Sequence, residues 1–131
     1  MKTFALRLKP GSDLKESLKD FTHAYQLQAG FILTAVGSLE KATLRFANQR
    51  VTQVFEQKFE LVALSGTLSS SGVHLHIAIA DQNGKTMGGH LETGCTIYTT
   101  AEIVIGESKE FAFERVIDPE TGFKELQIFP T

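Results

Sequence analysis

The sequence has 131 residues, of which 42% are hydrophobic and 21% are charged. These values are typical of a globular protein and exclude wholesale disorder, and the length suits one domain with a sizeable core. No apolar run approaches the ~20 residues of a membrane-spanning helix, and MKTFALRLKPGSD lacks the apolar region and cleavage site of a signal peptide. Cys95 is the one cysteine, so no internal disulfide can form. We predict a single cytoplasmic domain over residues 1–131.

The charge balance bears on nucleic-acid binding. The chain carries 13 Lys and Arg residues against 15 Asp and Glu residues, a formal net charge of -2. A protein that binds DNA through its phosphates needs a basic surplus or a basic stripe. The sequence shows neither, so autonomous DNA binding is disfavoured.

The N-terminal segment predicts a strand followed by a helix. TFALRL (3–8) alternates as a strand does. Asp13 can cap a helix that spans about residues 12–29, with Glu16 as its capping-box partner and Gly30 as the stop. The apolar residues at helical spacing are Leu14, Leu18, Phe21 and Tyr25.

The rest of the chain shows strand patterns separated by turn residues. The predicted strands are 31–37, 43–47, 58–65, 73–80, 86–92, 101–107 and a final pair that flanks the turn at 118–122. SLEKA (38–42) predicts a turn between the first two, and Gly66 predicts the end of the third. One helix among so many strands predicts an α+β domain, mainly of antiparallel β-sheet.

Three of the four histidines lie in VHLHIAIADQNGKTMGGHLE (73–92). Residues i and i+2 of a strand face the same side, so His74 and His76 project from one face. Imidazole nitrogens bind zinc, iron, nickel or copper, and two on one strand can bind a metal without distorting the backbone. An isolated pair at this spacing is usually an ordinary pair of strand residues. The neighbouring His90 and Glu92 favour a metal or ligand site.

The position of His90 depends on the hairpin between the two strands. A two-residue Asn83-Gly84 turn places His90 opposite Ile77, on the wrong face. A three-residue loop over 82–84 places His90 opposite His76.

The three-residue loop has one more consequence, and a bulge offers an alternative to that loop. The three-residue loop would place Glu92 opposite His74. Alternatively, a bulge at Gly88-Gly89 would bring His90 to the histidine face after a two-residue turn, because a bulge adds one unpaired residue. The sequence leaves both routes open.

The remaining candidates have ordinary structural interpretations. His23 is predicted to lie on the helix surface. Cys95, in an apolar setting without a partner cysteine, is predicted to be a small buried residue and not a nucleophile.

Four segments resemble a known family, the PPC (plant and prokaryote conserved) domain in its stand-alone prokaryotic form. They are TAVGSLEKATLRF (34–46), FELVALSGTLSSSGVHLHIAIAD (59–81), GKTMGGHLETGCTIYTTAEIVI (84–105) and FERVIDPETGFKEL (113–126). The resemblance implies a compact α+β unit that assembles into homotrimers. It also implies a metal, with the histidines of the HLH and GGHL segments as ligands, which are His74, His76 and His90 here.

The resemblance also implies a connection to DNA. In plants the domain usually accompanies an AT-hook, a short basic segment that enters the minor groove, and stand-alone members are described as DNA-binding by analogy. No Arg-Gly-Arg core of an AT-hook occurs in this sequence. The family's best-supported DNA contact is therefore missing.

Three functional hypotheses follow. The first is a homotrimeric protein that binds a divalent transition metal, with zinc as the predicted ion. Glu92 would be a fourth ligand or a carboxylate that orients an imidazole. The role of this protein would be regulatory, or DNA-associated through a partner. The second is a metal-dependent hydrolase in which Glu92, or Glu102 or Glu60 of a neighbouring subunit, acts as general base. The third is direct DNA binding, expected to be weak at physiological salt.

Overall fold

The computed structural model describes residues 1–131 as one helix and nine strands. In chain order these are β1 (Lys2–Leu8), α1 (Leu14–Ala24), β2 (Gly30–Arg45), β3 (Gln53–Phe55), β4 (Phe59–Ser69), β5 (Gly72–Ala80), β6 (Thr86–Leu91), β7 (Thr96–Glu107), β8 (Phe111–Ile117) and β9 (Lys124–Pro130). Every strand pairing is antiparallel. The predicted α+β class with one principal helix is confirmed.

The helix begins as predicted but ends earlier. The Asp13 side chain caps it by accepting a hydrogen bond from the Glu16 amide at 2.9 Å. The prediction that it extends to about residue 29 is wrong, because Gln26 adopts a left-handed conformation with φ 51°. The amides of Gln26 and Leu27 then donate to the carbonyls of His23 and Thr22, a pairing that closes a helix end. Leu27 is fully buried, and the burial of its side chain offsets the cost of the left-handed backbone at Gln26.

Strand β2 is the longest element and crosses the segment predicted as a turn. SLEKA continues the strand, with irregular register against β7 between Gly37 and Leu39 and again between Leu39 and Lys41. These irregularities bend the strand without ending it. Gly37 allows the bend to pack closely, because a Cβ there would overlap the Thr100 carbonyl oxygen.

Strand β4 likewise runs past Gly66, the predicted end of its segment. Gly66 keeps its place in the ladder opposite Leu75, with φ 148°. A Cβ at this position would overlap the carbonyl oxygen of His74. The glycine therefore permits close approach of two strands instead of breaking one.

The main sheet curls back on itself. Its strand order is β1-β7-β2-β4-β5-β6, and β6 also pairs with the far end of β2 through Leu44 opposite Leu91 and Arg45 opposite His90. Strands β2, β4, β5 and β6 thus form a closed ring around an apolar interior. Helix α1 adds Leu14 and Leu18, both fully buried, to the same core.

The last two strands form a separate hairpin. The turn at 118–122 is as predicted: the Gly122 amide donates to the Asp118 carbonyl at 2.7 Å. The hairpin is attached to the rest of the domain by the Phe113 amide, which donates to the Gln28 carbonyl, and by the Arg115 amide, which donates to Ser71 Oγ. This attachment brings β8 beside the start of β5. The structure contains no helix that is long and apolar enough to cross a bilayer.

Candidate metal centre

Strand β5 aims two histidines outward. Leu75 and Ile77 are each 3% exposed and lie in the core. Because side chains alternate along a strand, His74 and His76 project from the opposite, solvent-exposed face. The apolar residues thus fix the direction of the polar ones.

The hairpin that follows has a three-residue loop, which is one of the two routes left open by the sequence. The Asp81 amide donates to the Lys85 carbonyl at 2.9 Å, and the Asp81 Oδ1 atom accepts hydrogen bonds from the amides of Asn83 and Lys85. Gly84 takes φ 79°, a left-handed conformation that favours glycine. This loop sets His90 directly opposite His76.

The glycine pair does not form a bulge. Gly88 pairs with Ala78 and Gly89 with Ile77 in unbroken register. An added Cβ at Gly88 would lie 2.7 Å from the Ile77 carbonyl oxygen, and one at Gly89 would lie 2.8 Å from that of Arg45. The two glycines therefore let β6 fit between β5 and β2, and they place His90 where those strands meet.

The three imidazoles converge. The ring centroids lie 5.0 Å apart for His74 and His76, 4.4 Å for His76 and His90, and 5.8 Å for His74 and His90. One nitrogen of each ring lies within 4.8 Å of the others. His90 is half-buried, whereas the other two rings are more exposed. The arrangement can bind one metal ion and leaves a side open to solvent.

The electrostatic surroundings favour neutral imidazoles. The pKa of His74 is lowered by partial removal of its ring from water and then by the positive charge of Arg115. The pKa of His90 is lowered by the same loss of solvent and by Arg45. Since a metal binds the neutral ring, both effects keep the rings in the ligating form.

Glu92 lies beside this cluster but is engaged elsewhere. Its carboxylate oxygens are 3.6 Å from Arg45 Nε and 3.7 Å from Lys15 Nζ. Its amide donates to the Thr43 carbonyl at 3.2 Å, because the chain has left β5 and turned toward β2. A direct ligand role for Glu92 stays a prediction, and it would require both ion pairs to rearrange.

Comparison with known proteins identifies the family. A profile of the Plants and Prokaryotes Conserved (PCC) domain matches residues 1–109, from the first strand through the end of β7. The chain belongs to this family. The predicted resemblance is confirmed, and the profile match takes in all three histidines of this PCC chain.

Individual relatives extend the comparison. The PCC chain is 53% identical over 128 residues to the bifunctional protein GlmU of Synechococcus sp. strain JA-3-3Ab, covering 98% of the chain but only 21% of that protein. It thus spans about a fifth of the length of the curated relative it matches. A hypothetical protein of Salmonella cholerae-suis superposes with a TM-score of 0.96 at 40% identity, over 98% of this chain and 94% of the other.

A third relative shares the fold at lower sequence identity. It is a metal-containing protein from Archaeoglobus fulgidus, with a TM-score of 0.81 and 27% identity over 97% of this chain and 94% of its own. Its described metal content is a property of that protein.

Sequence reasoning missed the basic side chains around the cluster. Arg115 Nη2 lies 3.5 Å from His74 Nδ1, and Arg45 lies opposite His90 in the β2–β6 pairing. The alternation over residues 43–47 predicts a strand for Arg45, but it does not show that Arg45 lies beside His90 of β6. Arg115 comes from the C-terminal hairpin, and no spacing rule connects that hairpin with β5.

The other candidate residues have structural roles in the PCC domain. Cys95 is fully buried, and its sulfur makes hydrogen bonds with the Thr43 amide and carbonyl at 3.3 and 3.4 Å. Burial raises the pKa of this thiol to about 11, so the predicted buried role is confirmed. His23 lies exposed near the end of α1, as predicted. Glu60 pairs with Ala80, at the opposite end of β5 from His74.

Proposed function

We propose that this PCC-domain protein binds a divalent transition metal through His74, His76 and His90. The observation that carries the proposal is the convergence of three ring nitrogens within 4.8 Å of one another. In a tetrahedral zinc site with Zn–N bonds of about 2.0–2.1 Å, ligand nitrogens lie about 3.3 Å apart. Small side-chain rotations close that gap. A set of three imidazoles without thiolates fits zinc, although nickel, cobalt and copper favour the same donors.

The metal would occupy an exposed face of the domain. Three protein ligands leave a fourth position for water or another ligand. The Glu92 carboxylate lies 3.6 Å from Arg45 Nε, next to His90. The supporting role of Glu92 would be to position the positive charge of Arg45 near the site. The Archaeoglobus relative, described as metal-containing, supports a metal in a protein of this fold.

Metal analysis of protein purified without a nickel column tests the proposal. We expect about one metal ion per chain in the wild type and a large loss in His76→Ala and His90→Ala. His23→Ala is the matched control, because it removes an exposed histidine from the helix and leaves the cluster intact. Absence of metal from the wild type, even after incubation with excess zinc, would refute the proposal.

We further propose that the protein assembles as a homotrimer. Val36 and Val62, both 55% exposed, lie on neighbouring strands of the main sheet, and the hairpin exposes Phe123 and Ile128 at 73% and 57%. Large apolar side chains left in water on both elements favour burial against another copy. Light scattering should give roughly three times the 14.4 kDa chain mass. A monomer at micromolar concentration would contradict this assembly.

A catalytic metal is the second candidate function. Its support is the open side of the cluster, where a metal-bound water would become acidic enough to attack an ester or amide. Glu92 is the nearby carboxylate that could act as base, whereas Glu102 or Glu60 would have to come from a neighbouring subunit. Ester, phosphoester and lactone substrates test this function. Activity that survives chelation and His90→Ala would rule out this mechanism.

We propose that the metal-bound form has a regulatory role and that it is associated with DNA only through a partner. With a net charge of -2 and no AT-hook core, the chain would reach DNA through a partner and not by phosphate contacts of its own.

A further inference from the structure

A groove of about 1130 Å³ opens beside the histidine cluster. His74 and His90 lie in its wall, together with the segment that follows β2 and the start of β9. Its charged lining residues are the basic Arg45, Arg50, Arg115 and Lys124 and the acidic Glu125. On a chain with a net charge of -2, this is a local concentration of positive charge. It lies where a bound metal would add two further positive charges.

Two of the guanidinium groups are held in place by backbone carbonyls. Arg45 Nη1 donates to the Gln49 carbonyl at 3.1 Å, and Arg115 Nη2 donates to the Lys124 carbonyl at 3.1 Å. The two arginines approach the cluster from different strands, Arg45 at His90 and Arg115 at His74. They therefore flank the proposed metal position, with Arg45 Nε also 3.6 Å from the Glu92 carboxylate.

The contact between Arg115 and His74 has a chemical consequence for metal binding. A neutral imidazole has one nitrogen lone pair, and Arg115 Nη2 lies 3.5 Å from the Nδ1 atom. If His74 gives that lone pair to a metal, it cannot also accept a hydrogen bond from Arg115. Metal binding thus leaves Arg115 facing a cation. Arg115 keeps its hydrogen bond to the Lys124 carbonyl, but its positive charge beside a divalent ion favours an anionic ligand that compensates both charges.

We propose that the groove binds a small phosphate-bearing molecule, with one phosphate oxygen at the open position of the histidine-bound metal and the others on Arg115 and Arg45. This inference rests on the metal site proposed above. A phosphate offers several oxygens at tetrahedral angles, which suits one metal and two guanidinium groups better than a carboxylate does. The groove is larger than a phosphate ion, so it has room for an organic group.

A nucleic acid fits the same groove less well. A polyanion needs a run of basic residues that follows its backbone, whereas this basic cluster is confined to one groove that also contains Glu125. The fit is to a ligand with one concentrated charge.

Cobalt-loaded protein allows the two binding steps to be measured separately. Cobalt(II) is added first and its visible spectrum recorded; inorganic phosphate is then titrated and followed by the same spectrum and by calorimetry. We expect phosphate to alter the cobalt spectrum and to bind about tenfold more tightly to the loaded protein than to the apoprotein. Arg115→Gln should lose about tenfold in phosphate affinity while its cobalt affinity is unchanged or higher.

Arg7→Gln is the matched control, because Arg7 is an exposed arginine of β1 outside the groove. It should bind cobalt and phosphate as the wild type does. If circular dichroism shows that Arg115→Gln is unfolded, Arg45→Gln replaces it, since Arg45 is the second guanidinium assigned to the phosphate. A phosphate affinity in Arg45→Gln equal to that of the wild type would then count against the inference.

The remaining outcomes separate this inference from the metal site. Normal cobalt binding with no effect of phosphate on spectrum or heat overturns the phosphate site and leaves the metal centre standing. Failure of the wild type to bind cobalt or zinc overturns both. Displacement of phosphate by a DNA oligonucleotide at a lower concentration of phosphate groups would identify a nucleic-acid site and overturn the proposal for a small ligand.

Discussion

His76 and His90 lie directly opposite each other on β5 and β6, with their ring centroids 4.4 Å apart. This pairing depends on the three-residue loop, since a loop one residue shorter would have placed His90 opposite Ile77. The two strands that carry these ligands are thus joined by a tight hairpin, and little rearrangement is needed for both rings to bind one ion.

Metal should stabilise the folded domain. Binding only to the folded state adds about 2.7 kcal/mol at a free metal concentration of 100 times Kd, which corresponds to a rise in melting temperature of about 10 °C for a chain of this size. We expect zinc to raise the melting temperature of the wild type and of His23→Ala, and EDTA to reverse the rise. Differential scanning calorimetry checks this. An equal rise in His76→Ala would contradict the assigned ligands.

Substitution of Gly66 should destabilise the domain far more than substitution of Gly84. Both glycines have positive φ, at 148° and 79°, but only at Gly66 would a Cβ overlap a neighbour, the His74 carbonyl oxygen. We expect Gly66→Ala to cost about 3 kcal/mol or more and Gly84→Ala about 1 kcal/mol. Urea unfolding measures both free energies. Equal losses would show that backbone conformation alone decides the cost.

Cys95 should be unreactive in the folded protein. With its pKa raised to about 11, roughly one thiol in a thousand is ionised at pH 8, and the side chain is fully buried. We expect Ellman's reagent to react at least about a hundredfold more slowly with native protein than with protein in urea. Rapid reaction in the native state would mean that the segment around Cys95 opens often.

DNA binding should be weak and sensitive to salt. The net charge of -2 leaves only the local basic groove to contact phosphates. Such contacts weaken steeply as the salt concentration rises, because releasing counterions from DNA then gains less free energy. We expect no complex with duplex DNA at about 1 µM protein in about 0.15 M salt. Fluorescence anisotropy of a labelled duplex measures this. Submicromolar binding at that salt would restore direct DNA binding as a function.

Much of the candidate site could be predicted because strand alternation is a local property. The shared face of His74 and His76 follows from it alone, and the loop from Gln82 to Gly84 was one of two ways to bring in His90. The choice between the two routes was set by a side-chain contact inside the loop, which strand alternation does not specify. Asp81 accepts two amide hydrogen bonds there.

The rest depended on contacts between distant segments. β6 exchanges β5 for β2 after His90, and that exchange draws Glu92 away to Arg45 and Lys15. Arg115 reaches the site from the C-terminal hairpin. The early end of α1 had no glycine to mark it, because Gln26 took the left-handed position in exchange for the burial of Leu27. The continuation of β2 through SLEKA was hidden because its irregular register breaks the alternation.

The short contact between β6 and β2 gives the histidines a further significance. Two residue pairs, Leu44 with Leu91 and Arg45 with His90, close the ring of strands at this point, together with the hydrogen bond from the Glu92 amide to the Thr43 carbonyl. His90 belongs to this junction, whereas His74 and His76 lie on the adjacent strand. An ion bound by all three would cross-link β5 to the junction, so any opening there would have to separate metal ligands. Occupancy of the site and integrity of the ring are thus thermodynamically linked: each would strengthen the other.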